Sequence, residues 1–280
     1  MSGRVAVVTG ASRGVGKGVA CALGEAGWTV YVTGRSRNGQ ATSRHGGTIE
    51  DTAAAVTAHG GEGVAVACDH RDDEQVRQLF ERVAEERNGL DMLVNNVFAV
   101  PDGVLQEVPY WQRSLADWDD MVGLGLRAHY VASVYAAPIM VASGAGLIAN
   151  ISSFGARARL HTAAYGVSKA GADKLARDIA PDLAPYGVTA LSLWLGPVST
   201  ERTVATLEAA PDALNGFDLS MAETPEFPGR VLAALAADER VSRWNGAVLI
   251  AAEVAREYGV TERDGSQPAS LRPVLGSPEA

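Results

Sequence analysis

The residue types with the most chemical potential are a serine, a tyrosine and a lysine: Ser152, Tyr165 and Lys169. Tyr165 and Lys169 stand four positions apart, so on a helix they share one face, about 6 Å apart along the axis. A phenol ionises near pH 10 and is a sluggish acid at neutral pH. A neighbouring ammonium favours the phenolate; bringing the phenol near neutrality takes about 4 kcal/mol, at about 1.36 kcal/mol per unit. Tyr165 tuned in this way would donate a proton to a carbonyl oxygen in reduction and accept it in oxidation. Ser152, thirteen positions earlier in the run Asn150-Ile151-Ser152-Ser153, would hydrogen-bond the same oxygen and orient it. Tyr-x-x-x-Lys by itself occurs in many ordinary helices. It gains weight from the Ser-Ser pair after an adjacent strand and from a glycine turn near the N-terminus.

That turn reads Thr9-Gly10-Ala11-Ser12-Arg13-Gly14-Val15-Gly16, between an apolar run and a helical pattern. Glycines here permit a tight bend and a close approach of ligand and sheet to the backbone. The following helix presents free N–H groups and a positive dipole end to a pyrophosphate. A carboxylate at the end of the second strand would bind the ribose 2′-hydroxyl of NAD, but here the strand ends Thr33-Gly34-Arg35. Arg35 and Arg13, with Ser12, suit a 2′-phosphate and favour NADP, with NAD as the possible alternative. The bland alternative for Arg35 and Arg37 is a solvated loop. Asp69, at the end of the third strand, is placed either to accept from an adenine amino group or simply to face solvent.

These groups need a scaffold. Apolar runs at Arg4–Thr9, Trp28–Thr33, Gly63–Cys68, Asp91–Asn95, Gly146–Ile151, Val188–Trp194 and Ala247–Ala251 lack polar alternation, as strands covered on both faces do. Between them, Val76, Leu79, Phe80, Val83 and Ala84, and Ala172, Leu175, Ala176, Ile179 and Leu183, keep helical spacing. Val15, Val19, Ala22 and Ala26 form a narrower stripe. The repeating strand–helix order predicts an α/β fold: a doubly wound, seven-stranded, mostly parallel sheet with helices on both faces. Residues 1–280 are expected to form a single domain, with substrate loops at about 98–115 and 197–228 and an extension after 252 that lacks a strong period. Such sheets bind ligands at the carboxyl ends of their strands. Phe98, Tyr110, Trp111, Phe154 and Leu160 fall in loops expected there and are candidates for an apolar pocket. Loop packing is the competing reading. His161 and His70 are expected at the surface, and Trp118 and Trp194 in the core.

Composition narrows the classes. Of 280 residues, 47% are hydrophobic, which excludes wholesale disorder. The longest apolar stretches fall far short of the ~20 residues of a membrane span. The first apolar run is too short for a signal peptide, so the cytoplasm is the expected location. A net charge of −9 argues against nucleic acid as a partner. Cys21 and Cys68 lie in apolar runs without metal-ligand spacing, so no metal is expected.

With these motifs in order, the chain resembles the short-chain dehydrogenase/reductase family over nearly its whole length. The resemblance rests on TGASRGVG, Cys68-Asp69, DMLVNN, NISS, YGVSK and LWLGPVST, with YGVSKAGADKLA and AREYGVTERDG pointing to one subgroup. It implies a Rossmann fold, an NAD(P) cofactor, catalysis by Ser, Tyr and Lys, a small carbonyl or alcohol substrate, and a homodimer or homotetramer built on Asp117–Ser143. Carried over, Gly10, Ser12, Arg13, Val15 and Gly16 would line the phosphates, and Arg35, Asp69 and Asn95 the adenosine half. Tyr165 and Lys169 would meet the nicotinamide ribose, and Thr200 the carboxamide. Four departures stand out. The usual Asn-Asn-Ala-Gly is Asn95-Asn96-Val97-Phe98. Gly125 aligns with a helical Asn that extends the proton relay through water. Leu195-Gly196 replaces Pro-Gly. The loop after Ser-Ser is one residue short, so counting back from Tyr165 selects Ser152, whereas counting from Asn150 selects Ser153; Ser152 is preferred. Two rival functions remain on this reading: a non-catalytic NADP-binding regulator or scaffold, and a dehydratase or epimerase on the same fold.

Overall fold

The computed structural model describes residues 3–210 and 218–278. Seven strands form one sheet: β1 (Val5–Val8), β2 (Thr29–Gly34), β3 (Glu62–Ala67), β4 (Met92–Asn95), β5 (Gly146–Ser153), β6 (Val188–Leu195) and β7 (Val248–Ile250). The helices are α1 (Gly14–Glu25), α2 (Ile49–Ala58), α3 (Asp73–Glu86), α4 (Leu115–Trp118), α5 (Arg127–Ser143), α6 (Ala163–Leu183), α7 (Glu201–Ala209), α8 (Phe227–Ala237), α9 (Ala251–Tyr258) and α10 (Arg272–Leu275).

The strand order is β3-β2-β1-β4-β5-β6-β7, and every pairing is parallel. The strand pleat divides the apolar runs between two cores. Ala6 and Val8 of β1 face α1, α2, α8 and α9, whereas Val5 and Val7 face α3, α5 and α6. Both faces are covered, so the runs show no polar alternation. The chain reverses its winding between β1 and β4. That switch point opens a crevice at the carboxyl ends of the two strands.

Local chemistry sets where the helices begin. Thr48, Asp72 and Thr162 accept from the first-turn N–H groups of α2, α3 and α6. The Thr162 cap accepts from the Tyr165 N–H at 3.1 Å and so fixes how α6 presents Tyr165. In contrast, α1 begins at Arg13 without any side-chain cap. Its first turn is left for another partner.

Three expectations change. The chain beyond Ala252 is built into the fold: Ala251, Ala252, Val254 and Ala255 are buried along α9, and Leu271 and Leu275 pack on a small cluster of Phe154, Trp194 and Ile250. Alanine contributes little to an apolar period, so the stripe was faint in the sequence. Trp194 is buried as expected, but Trp118 is half exposed on α4. His70 lies in the core, its Nε2 2.8 Å from Thr33 Oγ1, and burial pulls it down to about 4. Of the 197–228 segment, residues 211–217 lie outside the described residues.

Candidate active site

The crevice at the switch point is bounded on one side by the glycine turn. Gly10 and Gly14 have φ of +66° and +55°, the left-handed region where a side chain is strained. A Cβ on Gly16 would run into Asn96 Nδ2 and the Gly10 carbonyl. Asn96 fastens the turn, its Nδ2 donating to the Thr9 and Gly10 carbonyls. The Gly14 N–H, at the uncapped start of α1, donates to Glu201 Oε2 at 3.0 Å. An acidic oxygen thus sits where α1 offers its positive end. The donors, the glycines and the position at the switch point all fit a dinucleotide pyrophosphate, which would take over the place of the Glu201 carboxylate. Val15 packs its side chain on the core just inside α1.

The neighbouring loops carry the cationic groups. Arg13 Nη1 donates to Ser12 Oγ, Ser36 Oγ and the Gly46 carbonyl at 3.3, 3.2 and 3.1 Å. Arg35 Nη1 lies 3.6 Å from Asp69 Oδ2, and both side chains keep access to solvent. The other Asp69 oxygen accepts from the Arg71 N–H. Asp69 is therefore engaged within the protein and is a counter-ion to Arg35. Thr200 Oγ1 caps α7 by accepting from the Thr203 N–H, while its methyl group rests over Gly14. Asn95 departs from its expected place. Its side chain is fully buried beneath the crevice, where Nδ2 donates to Ser133 Oγ and Asn150 Oδ1. The pleat turns Asn95 inward.

On the other side of the crevice stand β5 and α6. Ser153 Oγ and Tyr165 Oη share a hydrogen bond of 2.7 Å. Ser152, the residue preferred from the sequence, points into the sheet–helix interface, where its hydroxyl donates to the Lys169 carbonyl at 3.2 Å. Adjacent residues of a strand face opposite ways, so the one-residue ambiguity in counting becomes a choice of face, and the structure brings Ser153 to the phenol. Lys169 Nζ donates to the Ile151 carbonyl at 3.1 Å and lies 4.3 Å from the centre of the Phe98 ring and 5.8 Å from that of Tyr165. Burial pulls this ammonium down to about 8, against an upward pull from Asp173. Burial pushes the Tyr165 phenol up, and the Ser153 hydroxyl offsets part of that.

Phe98 and Gly125 prove to be one feature. A Cβ on Gly125 would strike the Phe98 ring and the Met121 carbonyl. The bulky residue fills the space that the glycine frees, and its ring meets Tyr165 edge-on at 5.8 Å. Each was visible in the sequence as a separate departure; their opposite changes in volume were the signal that they touch. His161, at φ +58°, meets Tyr165 edge-on at 4.9 Å and so belongs to the rim of the site. Tyr110 and Trp111 do not line it; both are exposed and meet one another edge-on. Phe154 is buried against Trp194, with Leu160 beside them. Glu201, Ser36 and Asp173 went unnoticed in the sequence because nothing local marks a residue that reaches the site from another segment. Among the described residues, no group of three or more His, Cys, Asp or Glu side chains gathers as metal ligands do. None of their helices is long and apolar enough to cross a membrane.

A parallel sheet with a glycine turn at its switch point, facing a tyrosine and a lysine on one helix, defines a dinucleotide-dependent oxidoreductase of the Rossmann class. Residues 4–210 match the family model described as short chain dehydrogenase. The chain belongs to the short-chain dehydrogenase/reductase family, whose members bind NAD(P) and act on CH–OH and carbonyl groups. It is 42% identical over 274 residues to dehydrogenase/reductase SDR family member 1 of Homo sapiens, covering 95% of this chain and 85% of that protein. Among solved structures, a candidate dehydrogenase from Xanthomonas campestris matches with a TM-score of 0.78 at 26% identity, over 95% of this chain and 93% of that one. A candidate NAD(P)-dependent gluconate 5-dehydrogenase from Beutenbergia cavernae, with low-occupancy NADP, matches with a TM-score of 0.74 at 29% identity, over 90% and 96% of the two chains.

Proposed function

We propose that this protein is an NADP-preferring oxidoreductase that interconverts a small carbonyl compound and its secondary alcohol. Ser153, Tyr165 and Lys169 carry the chemistry on this reading. The supporting observation is the 2.7 Å hydrogen bond between Ser153 Oγ and Tyr165 Oη, with the Lys169 ammonium one turn along the same helix. Bound cofactor supplies or takes up the hydride. Gly10, Ser12, Arg13, Gly14, Val15 and Gly16 would hold its phosphates, Arg13 and Arg35 a 2′-phosphate, and Lys169 with Thr200 its nicotinamide half. Ser153 and Tyr165 both hydrogen-bond the substrate oxygen, and Tyr165 Oη passes its proton to that oxygen as the alcohol forms. The positive charge of Lys169 stabilises the phenolate left behind. Carbonyl reduction needs the phenol protonated and the lysine charged, so its rate falls as pH rises through about 8.

The 98–115 segment and His161 would shape the substrate pocket, and Phe98 gives its floor an apolar character. The reading takes residues 1–280 as one domain, in the cytoplasm, assembled as a homodimer or homotetramer. Tyr130 and Val134 of α5 and Val167 of α6, all exposed, supply an apolar surface for that assembly. The test is a pair of alanine variants assayed over aldehydes and ketones with NADPH. Ser153→Ala is expected to lower kcat/KM by about 10²-fold or more, and Ser152→Ala by much less. Equal losses, or a greater loss at Ser152, would overturn the serine assignment.

A further inference from the structure

Lys169 is in a setting that works against its charge. The side chain is buried; Nζ has one carbonyl, that of Ile151, and is otherwise faced by the Phe98 ring. On α5, His129, whose Nε2 lies 3.2 Å from the Val97 carbonyl, is held neutral by burial, which pulls it down to about 3. On α6 the phenol of Tyr165 is neutral too. Among the described residues, Asp173, one turn further along α6, pulls the lysine back up.

Asp173 is held in an unusual way. Its Oδ1 accepts from Ser192 Oγ at 2.5 Å and its Oδ2 from Trp194 Nε1 at 2.8 Å, both on β6. The Ser152 hydroxyl, which donates to the Lys169 backbone carbonyl, also helps to pull the Asp173 carboxyl down. Burial pushes the Asp173 carboxyl up, and the uncharged donors and the charge of Lys169 pull it back. A half-buried carboxylate held only by uncharged donors costs stability that an apolar residue would not. What it gives in return is a fixed negative field one turn from a lysine that would otherwise lose its proton more readily.

We propose that Asp173 is a positioning residue acting through Lys169: its carboxylate, oriented by Ser192 and Trp194 of β6 and four positions further along α6, holds the lysine as an ammonium beside Tyr165. This rests on the role proposed above for Lys169. A carboxylate that only tied α6 to β6 would hold the helix in place but leave the lysine's titration unchanged.

The chain has three lysines, Lys17, Lys169 and Lys174, so lysine labelled with carbon-13 at Cε gives three resonances that can be followed through pH. In the wild type the buried lysine should titrate near pH 8, with a second, smaller inflection at acid pH where Asp173 takes up its proton. Asp173→Asn keeps the shape and an acceptor but removes the charge, and should move the main inflection about one unit or more to lower pH. The alkaline limb of kcat/KM for carbonyl reduction should move with it. An unmoved inflection, even with a lower melting temperature, would overturn the proposal. If the variant does not fold, the wild-type acid inflection decides: its absence overturns the proposal equally. The resonance arm needs no turnover, so a wild type inactive on every carbonyl would count against the proposed function and leave this inference to stand or fall on the titration.

Discussion

At the glycine-turn end of the crevice, proposed to hold the nucleotide, the groups are mainly backbone: Gly10, Gly14 and Gly16, the Gly14 N–H, and a helix start that lacks a cap of its own. At the other end they are side chains brought from separate segments: Phe98 from the loop after β4, Ser153 from β5, Tyr165 and Lys169 from α6, and the space left at Gly125 ahead of α5. The first end is written within one short stretch of chain, and the second exists only once the sheet has assembled. Backbone donors at a helix start fit any pyrophosphate, so that end fixes a class of ligand. The packing of Phe98 against Tyr165 and Lys169 depends on side chains that meet only across the fold.

The contrast can be broken most sharply at the phenol. Tyr165→Phe is expected to lower kcat/KM by about 10³-fold while NADPH binding, followed by fluorescence, changes far less. Equal rates for the two proteins would remove the proton-transfer role. A smaller effect is expected at the nucleotide end. Arg35→Asp should cut the preference for NADPH over NADH by about tenfold or more, as loss of a charged hydrogen bond implies. An unchanged ratio of dissociation constants would show that Arg35, paired with Asp69, takes no part in reading the 2′-phosphate.

The packing of the Tyr165 end can be tested by coupling. Gly125→Asn drives a side chain into the Phe98 ring and should cost about 1–3 kcal/mol in urea unfolding. Joined to Phe98→Ala it should cost less than the two single changes summed, by about 1 kcal/mol or more. Strict additivity would mean that the two departures are independent. The smallest effect is expected at Glu223, which is buried and accepts from the Gly196 N–H at 3.0 Å. Burial raises this carboxyl to about 8 from an ordinary 4.5, and its Oε2 has no partner. A raised acid contributes its full stability below the unfolded value and loses it as pH climbs toward 8. Glu223→Gln keeps the acceptor and cannot ionise. Its melting temperature should therefore gain on the wild type by a few degrees more at pH 8 than at pH 5. A pH-independent difference would mean that Glu223 is already charged in the folded protein.

Much of the scaffold was legible because its signals are local. Unbroken β-branched runs, helical stripes and the glycine spacing each depend on a few neighbours in sequence, and they predicted the seven parallel strands. Less was legible wherever one position more or less changes the answer. Ser152 and Ser153 differ by a single step, yet one lies under Lys169 and the other on Tyr165. Asn95 was expected at the adenosine, but the pleat turns it into a buried network with Ser133 and Asn150.

The sequence by itself determined the parallel sheet, the anion-seeking turn after its first strand and the tyrosine–lysine pair on one helix face, because strand and helix periods and the freedom of glycine act over a few residues. Only the tertiary structure decided which serine meets the phenol, that Phe98 occupies the room left at Gly125, and that Asp173 is held by Ser192 and Trp194 of β6. Those outcomes depend on pleat direction, on volume matched across the crevice and on the depth at which a charge is buried, quantities that have no value until distant segments are packed together.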